Sequence, residues 1–189
     1  MAPTSDSIDL AAWEERFARF LDDQTTGDAA HDRAHVERVV TTARQLAHRE
    51  GAQMSLVVPA AWLHDCVSLA KDDPERDQAS RRAADTAVRY LDRAGYPSDT
   101  HAAIRHAIEA HSYSAGIEAE TAEARVVQDA DRLDALGAVG IARCFLVGGQ
   151  IGASLCRSVA RLGPPPFPAA GEKRYPSAAR AFCRSSAPS

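Results

Sequence analysis

The chain has 189 residues with a net charge of −4, and 25% of them are charged while only 6% are aromatic. That length suits one domain with a substantial core, and the charge balance excludes the broad basic surface with which proteins hold nucleic-acid backbones. The four cysteines, Cys66, Cys144, Cys156 and Cys183, are scattered without a Cys-x-x-Cys pair, which fits neither a zinc knuckle nor a secreted disulfide framework. The N-terminus has no apolar signal core, and no run approaches the length of a membrane span. A soluble, cytoplasmic protein that engages neither nucleic acid nor membrane is expected; nothing in the sequence reports its oligomeric state.

From about Ser7 to Asp23, Leu10, Trp13, Phe17, Phe20 and Leu21 recur at three-and-four spacing, which predicts an amphipathic helix capped by Ser7 or Asp9. After a turn at Thr25-Thr26-Gly27-Asp28, a second helical pattern runs to Gly51 with Val36, Val39, Val40, Ala43, Leu46 and Ala47 as its apolar stripe. His35 lies four residues before Val39, on that inward face, and His31 lies one turn back. Ser55 to Val67 then predicts a short buried helix ending near Ser68, with Pro59 tolerable only in the first turn. It carries the adjacent pair His64-Asp65 in apolar surroundings, where an unpaired charge is expensive. A metal ion is the obvious partner. Neighbouring side chains on a helix diverge by about 100°, so other segments must complete such a site.

Downstream, Lys71 lies in a polar loop of a chain that otherwise takes its positive charge from arginine, Lys173 apart. It reads equally well as a solvated loop residue and as a phosphate-binding cation. A helix from about Pro74 to Ala94 stops at Gly95, its many charges forming an exposed face. Ser98-Asp99 caps the next, which carries His101, His106 and His111. Five-residue spacing puts these on different faces: His101 is expected at the surface, while His106 and His111 lie toward the helix end, where an imidazole meets substrate or gains from the dipole. Thr121 opens a helix whose mostly apolar run contains Asp129, Asp131 and Asp134, with Asp131 nearest the buried side. Gly137 and Gly140 lead into Ile141–Gly149, predicted as a second buried helix that glycine lets approach its neighbour closely. The Pro-rich stretch after Gly163 and the Ser/Ala/Arg-rich end predict an irregular tail. No convincing strand, repeat, Gly-rich phosphate loop or nucleophile elbow is present.

Collected in order, His35, His64-Asp65 and Asp131 are four metal-donor candidates from three predicted helices. The order His…His-Asp…Asp resembles the HD-domain superfamily of metal-dependent phosphohydrolases. The words His31-Asp-Arg-Ala-His35-Val-Glu-Arg-Val, Leu-His64-Asp65, Ala-His111-Ser-Tyr-Ser-Ala-Gly and Gln-Asp-Ala-Asp131-Arg-Leu-Asp-Ala-Leu-Gly are similar to its small, single-domain, YedJ-like bacterial branch. The resemblance implies an all-α fold, a single-domain compact helical bundle. Its phosphohydrolase core would span 28–155, with 1–27 an N-terminal helix and turn of the same domain and 156–189 the tail. Two departures stand out. Several HD nucleotidases carry an acid three positions after the aspartate of the pair, where this chain has Ser68. The branch's terminal helix after Lys-Arg-Tyr meets Pro176 here.

Two imidazoles and two carboxylates form a mixed site suited to one divalent transition ion, Mn, Fe, Co, Ni or Zn, with Mg less natural. The resemblance implies hydrolysis of a phosphoester or phosphoanhydride in a small phosphorylated substrate of the nucleotide class, with metal-activated water as the expected nucleophile. Asp65 or Asp131 is the candidate to accept the water proton. Lys71, Arg76, His106 and His111 are candidates to bind phosphate or protonate the leaving oxygen, and Arg132 and Asp134 to support the ligands from behind. Two other readings compete. One is a catalytically silent metal-binding or ligand-sensing module; the other is a two-iron oxygenase-like protein, for which the remaining histidines are badly spaced.

Overall fold

In a computed structural model, residues 8–24, 33–67, 69 and 75–150 are described. His31, Ser68, Lys71 and the predicted tail lie outside them. The described residues form seven α-helices and no strand: α1 (Leu10–Gln24), α2 (Arg33–Glu50), α3 (Met54–Leu63), α4 (Ala79–Ala94), α5 (His101–His111), α6 (Ala122–Asp134) and α7 (Gly137–Gln150). Short 3-10 turns at Arg76–Gln78 and Ser98–Thr100 precede α4 and α5. By its contacts the chain divides into two compact units, Met1–Asp134 and Ala135–Ser189. Among the described residues, no helix is long and apolar enough to cross a membrane.

The first unit is built around α3, which packs on α1, α2, α4, α5 and α6. Every residue from Leu56 to Leu63 is buried, as expected of a helix that is apolar all round. The other helices show it one stripe each, Val36, Val39, Val40, Ala43 and Ala47 on α2, and Ile104, Ala107 and Ile108 on α5. Alanines at many contact positions let the backbones approach closely. Local signals set the boundaries. Asp9 Oδ1 accepts from Ala12 N at 3.2 Å and Thr121 Oγ1 from Ala124 N at 3.1 Å, both N-terminal caps. Gly95 takes φ +82° and donates to the last carbonyls of α4, which closes that helix.

Four expectations need correction. Pro59 sits in the interior of α3, not in its first turn. That helix ends at Leu63, so His64 and Asp65 lie in the turn beyond it rather than within a longer helix. His101 is half-buried, with Nε2 3.2 Å from the Tyr96 carbonyl, rather than at the surface. In the second unit, α7 is not buried: Val139, Ile141, Phe145 and Leu146 are exposed. The close approach at Gly140 is local, since a Cβ there would collide with the Ala135 carbonyl just before its own helix.

Candidate metal centre

Two of the central histidines are aimed by the same local device. His64 follows the last residue of α3, and its Nδ1–H donates to the Ala61 carbonyl three residues back at 2.8 Å. His111 ends α5, and its Nδ1–H donates to the Ile108 carbonyl, again three back, at 2.6 Å. Carbonyls at a helix end lack their intrahelical donors, and imidazoles there are well placed to cap them. A carbonyl only accepts, so in both rings Nδ1 carries a hydrogen, and whenever the ring is neutral its Nε2 is bare. On α2, His35 Nδ1–H donates to Asp134 Oδ2 at 2.7 Å, which fixes the same tautomer.

These Nε2 atoms converge on two carboxylates. His35 Nε2 lies 3.4 Å from Asp131 Oδ1. His64 Nε2 lies 3.6 Å from Asp65 Oδ2 and 3.9 Å from Asp131 Oδ1, and His111 Nε2 lies 3.5 Å from Asp65 Oδ1. The His64 ring meets those of His35 and His111 edge-on, with centroids 5.4 and 4.9 Å away. All three rings are buried, His64 completely. The donor atoms form two overlapping groups, His35–His64–Asp131 and His64–Asp65–His111, each spanning no more than 4.8 Å and each able to hold a metal ion. The four donors expected from the sequence are thus brought together through His64. Asp65 falls with His111, a residue expected to face substrate.

Electrostatics suit a cation. Burial lowers the His64 pKa despite Asp65 and Asp131 nearby. For Asp131, burial acts upward, but the His35 contact and the neighbouring imidazoles outweigh it and hold the carboxyl below its usual range. Asp65 is likewise held well below its usual range, with His64 and His111 overcoming burial. His64 Nε2 is buried and makes no hydrogen bond. A bare nitrogen facing carboxylate oxygens is an unfavourable arrangement unless positive charge lies between them. The donor set therefore fits a divalent transition ion.

The remaining candidates separate. Arg76 is exposed, and its Nη1 donates to the Leu69 carbonyl at 3.1 Å. His106 Nε2 accepts from Glu120 N at 3.1 Å, which ties the segment before α6 to α5, and it belongs to neither donor group. Arg132 and Asp129 are exposed. Asp134 stands behind His35 and also binds Arg38, which sequence reasoning passed over. The signal for Arg38 was its place three residues after His35, matching that of Asp134 after Asp131.

An all-α bundle with buried histidines and aspartates converging at its centre is the architecture of an HD domain, and the HD-domain family model matches residues 33–136. The chain belongs to the HD-domain family. Over 139 residues it is 34% identical to the uncharacterized protein YpgQ of Bacillus subtilis (strain 168), a match covering 71% of this chain and 64% of that protein. The chain thus spans a little under two thirds of that relative's length. The crystal structure of YpgQ in complex with ADP is similar with a TM-score of 0.57 at 30% identity, covering 75% of this chain and 72% of that one. A Lactobacillus plantarum protein gives 0.60 at 33% identity, covering 77% and 68%. A predicted HD superfamily hydrolase from an uncultured Thermotogales bacterium gives 0.54 at 28% identity, covering 74% and 81%.

Proposed function

We propose that this protein is a metal-dependent phosphohydrolase that cleaves a phosphoester or phosphoanhydride bond of a nucleotide. The observation that carries this reading is the convergence of three buried imidazoles, each with a hydrogen on Nδ1, on two half-buried carboxylates. His35, His64, Asp65 and Asp131 would hold one divalent ion of the Mn, Fe, Co, Ni or Zn type. When bound, such an ion polarises a phosphoryl group and makes water a nucleophile near neutral pH. Asp65, whose side chain is 35% exposed against 28% for Asp131, is the candidate to orient the attacking water and take its proton. His111 shares Asp65 with it and is the candidate to face a phosphate oxygen. Lys71 and Arg76 follow in the chain as candidate phosphate contacts. The nucleotide class is supported by the ADP in the complex of the relative YpgQ.

The test is a panel of nucleoside mono-, di- and triphosphates offered to the Mn²⁺-loaded protein, with His64→Ala alongside. Turnover of at least one nucleotide, lost in His64→Ala, is expected. Metal binding without turnover of any phosphate compound would instead favour a silent binding or sensing module.

A further inference from the structure

We infer that Arg38 and Asp134 form a positioning pair that fixes the tautomer and aim of His35 and so sets how tightly the centre holds its ion. This rests on the metal-dependent reading above. Helix α2 carries His35 and Arg38 three residues apart, and α6 carries Asp131 and Asp134 at the same spacing. Residues three apart on a helix lie one above the other on one face. Because α2 and α6 pack together, the two pairs meet in two layers. In one layer His35 Nε2 faces Asp131 at 3.4 Å, toward the centre. In the other, behind the ring, His35 Nδ1–H donates to Asp134 Oδ2 at 2.7 Å. Arg38 grips the same carboxylate with two prongs, Nε to Oδ1 at 2.6 Å and Nη2 to Oδ2 at 3.1 Å.

The chemistry follows from which atoms donate. An anionic carboxylate only accepts, so it keeps the His35 hydrogen on Nδ1 and leaves Nε2 as the ligating atom; it also raises the donor strength of the ring. The Asp134 side chain is only 7% exposed, and the Arg38 guanidinium bound to both of its oxygens keeps it in the anionic, accepting form. Arg38 comes from the solvent side, in a groove of about 450 Å³ lined also by Glu37, Thr41 and Leu133. Its planar fork fixes the rotation of the carboxylate, which a lysine's single point charge does not. Arg38 acts through Asp134, whose two carboxylate oxygens it grips.

The test reads metal affinity and the Co²⁺ absorption spectrum of the full chain, not turnover. Asp134→Asn should weaken Co²⁺ binding by about 10–100-fold and alter the spectrum. A neutral amide can turn its NH₂ toward Nδ1 and drive the hydrogen onto Nε2. Arg38→Met should weaken binding by a smaller factor, Arg38→Lys should restore part of it, and Arg38→Met should add nothing in the Asp134→Asn background. The proposal is overturned if folded Asp134→Asn binds Co²⁺ within about twofold of the parent, well short of what loss of such a partner costs, or if the two losses multiply. Should Asp134→Asn not fold, the Arg38 series decides, and equal affinity of Arg38→Met, Arg38→Lys and parent overturns it. A parent chain that binds no divalent transition ion would sink the functional reading itself. Tight binding by parent and variants alike sinks only the positioning pair.

Discussion

Tyr96 donates its hydroxyl hydrogen to the carbonyl of Ser55 across 2.6 Å, and that carbonyl is available because of Pro59. In an α-helix the Ser55 carbonyl accepts from the N–H of residue 59. Proline has none, yet α3 runs through it from Met54 to Leu63. Tyr96, just beyond the glycine that ends α4, supplies the missing bond from a neighbouring element. Burial pushes its phenol well above the usual range, so it stays protonated and able to donate.

Removing that donor should therefore be costly in one background and cheap in another. Tyr96→Phe leaves a part-buried carbonyl without its donor, an expected loss of about 1 kcal/mol in urea unfolding. In a Pro59→Ala background the helix regains its own N–H, so the same substitution should cost measurably less. Equal costs in both backgrounds would mean that Tyr96 contributes packing only.

The same pair shows what was legible in the sequence. The individual helices followed from periodicity and caps, and Asp9, Thr121 and Gly95 act where those signals put them. Pro59 was misplaced because its compensating donor lies in a different helix connection, and no local rule reveals a partner 41 residues away. His35, His64, Asp65 and Asp131 stood out as polar residues in apolar runs, and they do converge. The split into two donor groups did not show, because it depends on α3 stopping at Leu63 and on α5 delivering His111 beside Asp65. Asp134 was visible only as one of three aspartates; its partner Arg38 looked like any surface charge.

Glu14 links the first helix to the centre of the bundle. Its Oε2 accepts from Trp62 Nε1 at 3.1 Å on α3, and it forms an ion pair with Arg44 on α2. Glu14→Ala strands the indole N–H and should lower stability by about 1–3 kcal/mol. Glu14 lies outside both donor groups, so Co²⁺ affinity of the folded variant should match the parent. A large drop in affinity would show that α1 is coupled to the metal centre in a way the contacts do not suggest.

Acid should remove the Asp134 contribution in a defined window. Its folded pKa of about 2 lies below the ordinary aspartate value of 3.8, so the unfolded chain takes up the proton first. Stability from this group is fully present above the unfolded value and is lost as pH falls through the folded one. The difference in urea midpoint between parent and Asp134→Asn, both metal-free, should be constant near neutrality. It should shrink from about pH 4 toward pH 2. A difference that grows on acidification would contradict an ionised, paired Asp134.

His111 offers the sharpest separation of roles within the cluster. Burial works against its charged form, but Asp65, followed by Asp131, overcomes this and raises its pKa above the ordinary histidine value. That favours a ring able to carry a proton while Asp65 remains anionic. If it faces a phosphate oxygen, His111→Ala should lower kcat by about 10²-fold or more while Co²⁺ affinity falls far less than in His64→Ala. Nε2 of His64 belongs to both donor groups, whereas that of His111 belongs to one, so the two substitutions should not look alike in a metal titration. Equal losses of affinity would make His111 a ligand in its own right and move the proton-donating role elsewhere in the site.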